Sequence, residues 1–267
     1  MTGLQALVLG IVQGVTEFLP ISSSGHLVLL ERIWHISEGG LLFVTLLHLG
    51  TLAAVLFAMK EDVAAVIRRP FSWTSRMILL ALIPTAIVGA VFEEFFERLF
   101  QTPVTVGFEF VITGVVLWWI DSIPRGHKEM DDIQPADSLW IGALQGIAIV
   151  PALSRSGLTI AAGLWRGLDR DTAGRFSFLL SIPAILGATV VQLDDILEAP
   201  TKFGGLQLWP AVIGTAAALV AGYVAVKWTL WLLRRAKMRY FAVYVWILAA
   251  FVFADQLFFH HWFPPLL

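Results

Sequence analysis

From residue 41 onward the chain is a succession of apolar runs separated by short charged loops, most of them near the roughly 20 residues that carry a helix across a bilayer. In lipid every backbone N–H and C=O must be satisfied internally, so such runs become helices. Six spans are predicted, roughly at 41–59, 77–95, 104–121, 176–193, 207–230 and 240–258. With 58% hydrophobic and only 14% charged residues among 267, no segment remains for a soluble domain of ordinary size. Residues 1–267 are therefore read as one all-α integral membrane domain. The first 20 residues lack a basic leader and carry Gln5, Gln13 and Glu17, so no cleavable signal is expected and the N-terminus should be retained. The absence of cysteine excludes disulfides, thiolate chemistry and cysteine-ligated metals.

Charge placement sets an orientation. Assigning the loops to alternate sides gathers Lys60, Arg68, Arg69, Arg76, Arg125, Lys128, Arg166, Arg170, Arg175, Lys227, Arg234, Arg235, Lys237 and Arg239 on one side, and leaves Arg32, Arg98 and Lys202 on the other. Cationic loops stay inside, so both termini should lie outside.

Two apolar regions remain, 1–36 and 139–165, each broken near its middle by a proline followed by serines: LPISSSGH and VPALSRSG. Each half is too short to cross, and both regions read as re-entrant hairpins. The first must dip in from outside and the second from inside. Irregular backbone at membrane depth needs protein or water around it, so the two tips should meet. Offset by 132 positions, residues 10–25 and 142–157 share Gly10/Gly142, Gln13/Gln145, Gly14/Gly146, Ser22/Ser154, Ser24/Ser156 and Gly25/Gly157. Each copy is a hairpin plus three spans, about 1–122 and about 139–258, and an odd number of spans inverts the second copy. The expectation is an inverted-topology repeat with a site where half-helix ends meet.

The residues at the tips carry chemistry. The serines precede helices whose N-terminal N–H groups and dipoles attract anions. Arg155 adds a guanidinium fork suited to two phosphate oxygens, at a cost of about 2.5–3.5 kcal/mol at membrane depth. Glu17, with Gln13 one turn earlier on the same face, is equally costly there. A structural Glu17–Arg155 ion pair is one reading. The other is a site where Arg155 and the helix ends hold an anion, while Glu17 and Gln13 bind a divalent cation through oxygen. His26 lies about a turn beyond the serines. Anion donors, a cation site, a hydroxyl and an imidazole together suit phosphoryl transfer. No G-x-S-x-G elbow, H-E-x-x-H or Walker loop occurs.

The two motifs resemble those of the undecaprenyl-pyrophosphate phosphatases of the bacitracin-resistance type. Gln13-x-x-x-Glu17 followed by FLPISSSGH is similar to the family's first motif, and PALSRSGLT, residues 151–159, to its second. The resemblance runs the whole length. It implies metal-dependent hydrolysis of a C55 polyprenyl pyrophosphate to the monophosphate, recycling the lipid carrier of cell-wall synthesis, in the bacterial plasma membrane with the site opening to the outer face. It also implies a cation, Mg2+ or Ca2+, on Gln13 and Glu17, and attack on the terminal phosphorus by Ser23 or His26. Ser22, Ser24, Ser154, Arg155, Ser156 and Thr159 would hold the pyrophosphate. Besides the lipid substrate and membrane lipids, a second copy of the chain is admitted as a partner, and no nucleic acid is expected. Two positions depart from the family pattern. Ala152 replaces the glycine after the proline, which stiffens the tip if that position needs a positive φ, and Gln13 leaves Glu17 as the one acidic ligand of its motif. A transporter or flippase of an anionic lipid would use the same inverted-repeat site without breaking a bond, and a membrane scaffold would need only the ion pair. Glu109 and Asp255 match no motif and are expected to snorkel or to pair between helices.

Overall fold

The computed structural model describes all residues except 37–39, 93, 97–98, 100–102, 199–207, 236 and 267, with backbone alone at 40, 41, 103 and 193–198. Arg98 and Lys202 lie outside the described residues. The rest form α1 (Gly3–Phe18), α2 (Ser23–Ile33), α3 (Gly40–Ala58), α4 (Lys60–Arg68), α5 (Trp73–Val91), α6 (Val106–Ile120), α7 (Pro135–Ile147), α8 (Arg155–Trp165), α9 (Arg170–Glu198), α10 (Leu208–Arg235) and α11 (Arg239–Ala254). A π-helical turn, Asp255–Phe259, continues α11.

Among the described residues the protein is all-helical, and four helices are long and apolar enough to cross a membrane: Trp73–Val91, Arg170–Gln192, Leu208–Arg235 and Arg239–Phe259. Leu42–Ala58 and Lys60–Arg68 would make a fifth if taken as one span, although they meet at 85°. The bend falls where the apolar run gives way to Lys60, Glu61 and Asp62, whose charges favour water over lipid. α6, with 15 residues, rises about 22 Å, short of the roughly 30 Å hydrocarbon core.

Polar caps explain where the helices start earlier than their apolar runs. α5 begins at Trp73 rather than 77 because the Ser72 hydroxyl accepts from the Ser75 N–H at 3.2 Å, which draws Thr74, Ser75 and Arg76 into the first turns. Asp169 does the same for α9, accepting from the N–H groups of Asp171 and Thr172 at 2.8 and 3.0 Å.

Both predicted breaks are present. α1 stops because Leu19 precedes Pro20, which confines it to extended backbone (φ −67, ψ 144). The chain then turns through Ser22 at φ 70. α7 ends at Ile147, and two turns lead through Pro151 and Ala152 to α8.

The two incoming helices are seated on close backbone contacts. A Cβ on Gly10 would stand 2.2 Å from the Gly214 carbonyl oxygen of α10, and one on Gly142 would stand 1.9 Å from the Ala81 carbonyl oxygen of α5. Only glycine admits such an approach, as small residues do between membrane helices generally. The stretch GTAAALVAG (214–222) packs this way against α1 and α3: Gly214 meets Phe43 and the Ala6 carbonyl, and Gly222 meets Ala54. Beside this contact, Ala217 and Val220, with Val224 further along α10, line an open apolar groove of about 700 Å3 shared with Leu7, Ile11 and Val15 of α1.

The cations that the charge count placed together are joined by ion pairs across the turns. Arg175 pairs with Asp62, Arg170 with Asp121 at 3.3 Å, Arg239 with Asp121 at 3.6 Å and Arg234 with Asp171 at 3.6 Å. Asp137, in the first turn of α7, is clamped by Lys128 Nζ and Arg166 Nε, both at 2.8 Å. Burial raises its pKa, but the hydrogen bonds from Lys128, the Gln134 N–H and Arg166 outweigh this and hold it below the usual aspartate range.

Asp255 does not snorkel and, among the described residues, forms no ion pair between helices. It is buried and accepts from the backbone N–H groups of His261, Trp262 and Phe263 at 3.1, 3.0 and 2.8 Å, tying down the C-terminal segment. Glu109 is also buried, with its side chain hydrogen-bonded to Thr105 one turn earlier.

Candidate active site

The two breaks touch. The Ser24 hydroxyl accepts from the Ala152 N–H at 3.1 Å, and the Ser156 hydroxyl donates to the Leu19 carbonyl at 3.0 Å. Each tip therefore lends its last serine to the other tip's backbone. Within each tip the first serine caps its helix: Ser22 Oγ accepts from the Gly25 N–H at 3.2 Å, and Ser154 Oγ accepts from the Gly157 N–H at 3.1 Å. The first N–H groups of a helix have no intrahelical partner, so α2 and α8 bring two sets of donors to this junction. Ala152 adopts φ 57, so the tip does require the left-handed conformation that glycine favours.

At the junction lies Glu17, 7% exposed. Its Oε1 accepts from Arg155 Nη2 at 2.6 Å, and its Oε2 accepts from Ser23 Oγ at 2.6 Å and from Gln13 Nε2 at 3.0 Å. One carboxylate thus holds a guanidinium and a hydroxyl side by side. Ser23 and Ser24 are partly exposed, whereas Ser22, Ser154, Ser156 and Thr159 are buried. The Thr159 hydroxyl donates to the Arg155 carbonyl at 2.9 Å and lies 2.6 Å from Ser177 Oγ, so it braces the first turn of α8.

His26 is not turned toward Ser23. Its Nδ1–H donates to the Ser22 carbonyl at 2.6 Å, which leaves Nε2 to accept from the Tyr244 hydroxyl at 2.8 Å. The ring runs nearly parallel to Tyr244 (17°) and edge-on to Phe110 (86°).

Two residues here carried no motif. Tyr244 comes from α11, 218 positions away, and His48 comes from α3, with Nε2 3.8 Å from Glu17 Oε2. A buried carboxylate beside Gln13 signalled that partners were needed, but not which helices would supply them.

A cation on Gln13 and Glu17 fits the donors present. The Gln13 Oε1 is buried and has no hydrogen-bond partner among the described residues, and a carboxylate with a carboxamide oxygen is a hard donor pair suited to Mg2+ or Ca2+.

The sequence matches the family model described as Bacitracin resistance protein BacA over residues 6–251. The chain belongs to this family. Among its relatives, an undecaprenyl-diphosphatase of Carboxydothermus hydrogenoformans is 46% identical over 256 residues, covering 96% of this chain and 98% of that protein. An undecaprenyl-diphosphatase 4 of Bacillus thuringiensis (strain Al Hakam) is 44% identical over the same coverage. An undecaprenyl-diphosphatase of Halothermothrix orenii is 42% identical over 250 residues, covering 93% of this chain and 96% of the relative. Both tips of this BacA-family chain lie inside the residues that the family model matches.

Proposed function

We propose that this chain hydrolyses undecaprenyl pyrophosphate to the monophosphate and inorganic phosphate. The observation that carries the reading is the convergence of Ser23 and Arg155 on the two oxygens of Glu17, where two helix N-termini meet. An attacking hydroxyl and an anion clamp are thereby held within one carboxylate of each other. The relatives' names agree with this chemistry.

In this reading Arg155 and the N–H groups of α2 and α8 bind the pyrophosphate oxygens and offset the charge that builds up in transfer. Ser22, Ser24, Ser154, Ser156 and Thr159 fix the two helix starts. Ser23 Oγ forms a bond to the terminal phosphorus and passes its proton along the existing hydrogen bond to Glu17. The anhydride P–O bond breaks, and the prenyl monophosphate departs. Water then cleaves the phosphoserine. His26 is second choice as nucleophile, because its Nε2 must first leave Tyr244. A divalent cation, Mg2+ or Ca2+, on Glu17 and Gln13 would neutralise pyrophosphate charge when bound.

The same proposal covers topology. α6 and α3, which bends into α4, join the four longer helices as six spans, and the broken pairs α1–α2 and α7–α8 are re-entrant. The first and second halves form an inverted repeat, about 1–122 and 139–258. Its support is reciprocal packing, since α1 lies on α10 as α7 lies on α5. Both termini and the opening of the site are assigned to the outer face of the plasma membrane, the side opposite the paired cations.

The test is phosphate release by detergent-purified protein from a long-chain prenyl pyrophosphate, with and without chelator, beside Glu17→Ala and Arg155→Ala. Release that needs metal and both residues is expected. A folded wild type that releases nothing across several metals and prenyl lengths ends the phosphatase reading and sends the question to flipping assays in liposomes. Quenched phosphoenzyme should be acid-stable, as phosphoserine is, and not acid-labile like phosphohistidine.

A further inference from the structure

We propose that His48 is a third ligand of the cation site, and that its imidazole turns the site's preference from Mg2+ and Ca2+ toward transition ions such as Mn2+. This rests on the cation site of the phosphatase reading. His48 Nδ1–H donates to the Val44 carbonyl at 2.9 Å, so Nε2 carries the lone pair. That atom lies 3.8 Å from Glu17 Oε2, too far for a hydrogen bond but within the roughly 3–4 Å that separates two ligands bonded at about 2.0–2.2 Å to one ion. A ring N–H fixed on a backbone carbonyl is the usual support of a metal-bound histidine.

Three further observations point the same way. Glu17 gives its other oxygen to Arg155, while Oε2, the oxygen nearest His48, accepts from Ser23 Oγ and from Gln13 Nε2; a cation there would replace the Gln13 N–H, with the carboxamide turned to present Oε1. The Gln13 Oε1 is buried and has no partner among the described residues. The position 132 residues on provides a contrast: among the described residues Gln145 also leaves its Oε1 unpartnered, its Nε2 donating to Thr85, but the residue one turn later is Ile149 where the first tip has Glu17. Only the first tip combines a carboxylate with an imidazole. One nitrogen ligand among oxygens strengthens binding to later first-row ions relative to Mg2+ and Ca2+.

The experiment uses the full-length protein in detergent, titrated with Mn2+, Mg2+ and Ca2+ by calorimetry and with Mn2+ by electron paramagnetic resonance, for wild type, His48→Gln and His26→Gln. Wild type should bind Mn2+ about tenfold more tightly than Ca2+, and its Mn2+ spin echo should show imidazole nitrogen modulation. His48→Gln should lose both features while keeping its Ca2+ affinity within about threefold, and His26→Gln should keep both. The proposal is overturned if His48→Gln retains the nitrogen modulation, or if it loses all three ions equally. Should that variant not fold, 15N-histidine labelling of wild type decides: Mn2+ modulation that does not change with the label overturns the assignment. Wild type that releases phosphate in chelator and binds no divalent ion removes the cation site while leaving the phosphatase intact. Mn2+ binding with the His48 signature but no phosphate release sustains the ligand assignment and defeats the phosphatase reading.

Discussion

The two tips have the same frame and opposite contents. Both incoming helices open with a capping box, Thr2 with Gln5 and Gln134 with Asp137, and both outgoing helices open on a serine that caps a glycine N–H. Within that frame Glu17, Ser23 and His26 correspond at the 132-residue offset to Ile149, Arg155 and Leu158. The first tip holds the groups proposed to react, and the second holds Arg155 and otherwise fastens itself to its neighbours. Sharing a backbone device leaves each copy free to specialise at the middle of its serine triplet, SSS in one and SRS in the other.

The sharpest break in that comparison is Ser23→Ala. If the first tip supplies the nucleophile, phosphate release should fall by about 10^3-fold or more with little change in KM. Arg155→Ser, which gives the second tip the first tip's triplet, should cost about 10^2-fold and raise KM as well, since the clamp acts on bound substrate and transition state alike. Equal losses in kcat alone from both changes would erase the distinction between reacting and holding.

Asp137→Asn probes the other difference, the extra clamp on the second capping box. The carboxylate is fully buried while Lys128 and Arg166 keep 30% and 31% exposure, so water softens the loss to about 2 kcal/mol in thermal unfolding, with activity kept. The folded pKa is depressed, so this stability is present above the ordinary value of 3.8 and is lost as pH falls through the lower folded value. A wild-type advantage that grew on acidification would contradict the assignment.

Tyr244→Phe removes the hydroxyl that His26 Nε2 accepts, and a change of about three- to tenfold in release is expected. The smallest effect should come from Ala152→Gly. Relief of left-handed backbone is worth about 1–2 kcal/mol, against about 0.8 kcal/mol for the buried methyl and 0.5–1 kcal/mol for added chain entropy. A shift above about 1 kcal/mol in either direction would mean that this tip is strained differently from the first, whose left-handed residue is Ser22.

What was legible in the sequence follows from cost. Prolines cannot continue a helix, serines cap the next one, and a glutamate and an arginine among apolar residues must find compensation, so the breaks and the Glu17–Arg155 meeting could be read directly. Helix starts at Trp73 and Arg170 were hidden because Ser72 and Asp169 carry the helix across polar residues that a hydropathy reading assigns to loops. His48 and Tyr244 were hidden for another reason. Each stands on a largely apolar helix with no motif around it, and only the packing of α3 and α11 against the first tip gives it a partner. Asp255 misled because a carboxylate near a span end normally suggests snorkelling, whereas here three backbone N–H groups fold back onto it.

The close approaches at Gly10 and Gly142 bear on how such a chain can be assembled. α1 is seated on α10 and α7 on α5, so each half of the molecule provides the bed for the other's broken helix. Severed between α6 and α7, neither piece could bury its own serine-lined break. The two halves are interlocked, as two hands clasped are, and the seam that holds them together is also the place where the chemistry is proposed to occur.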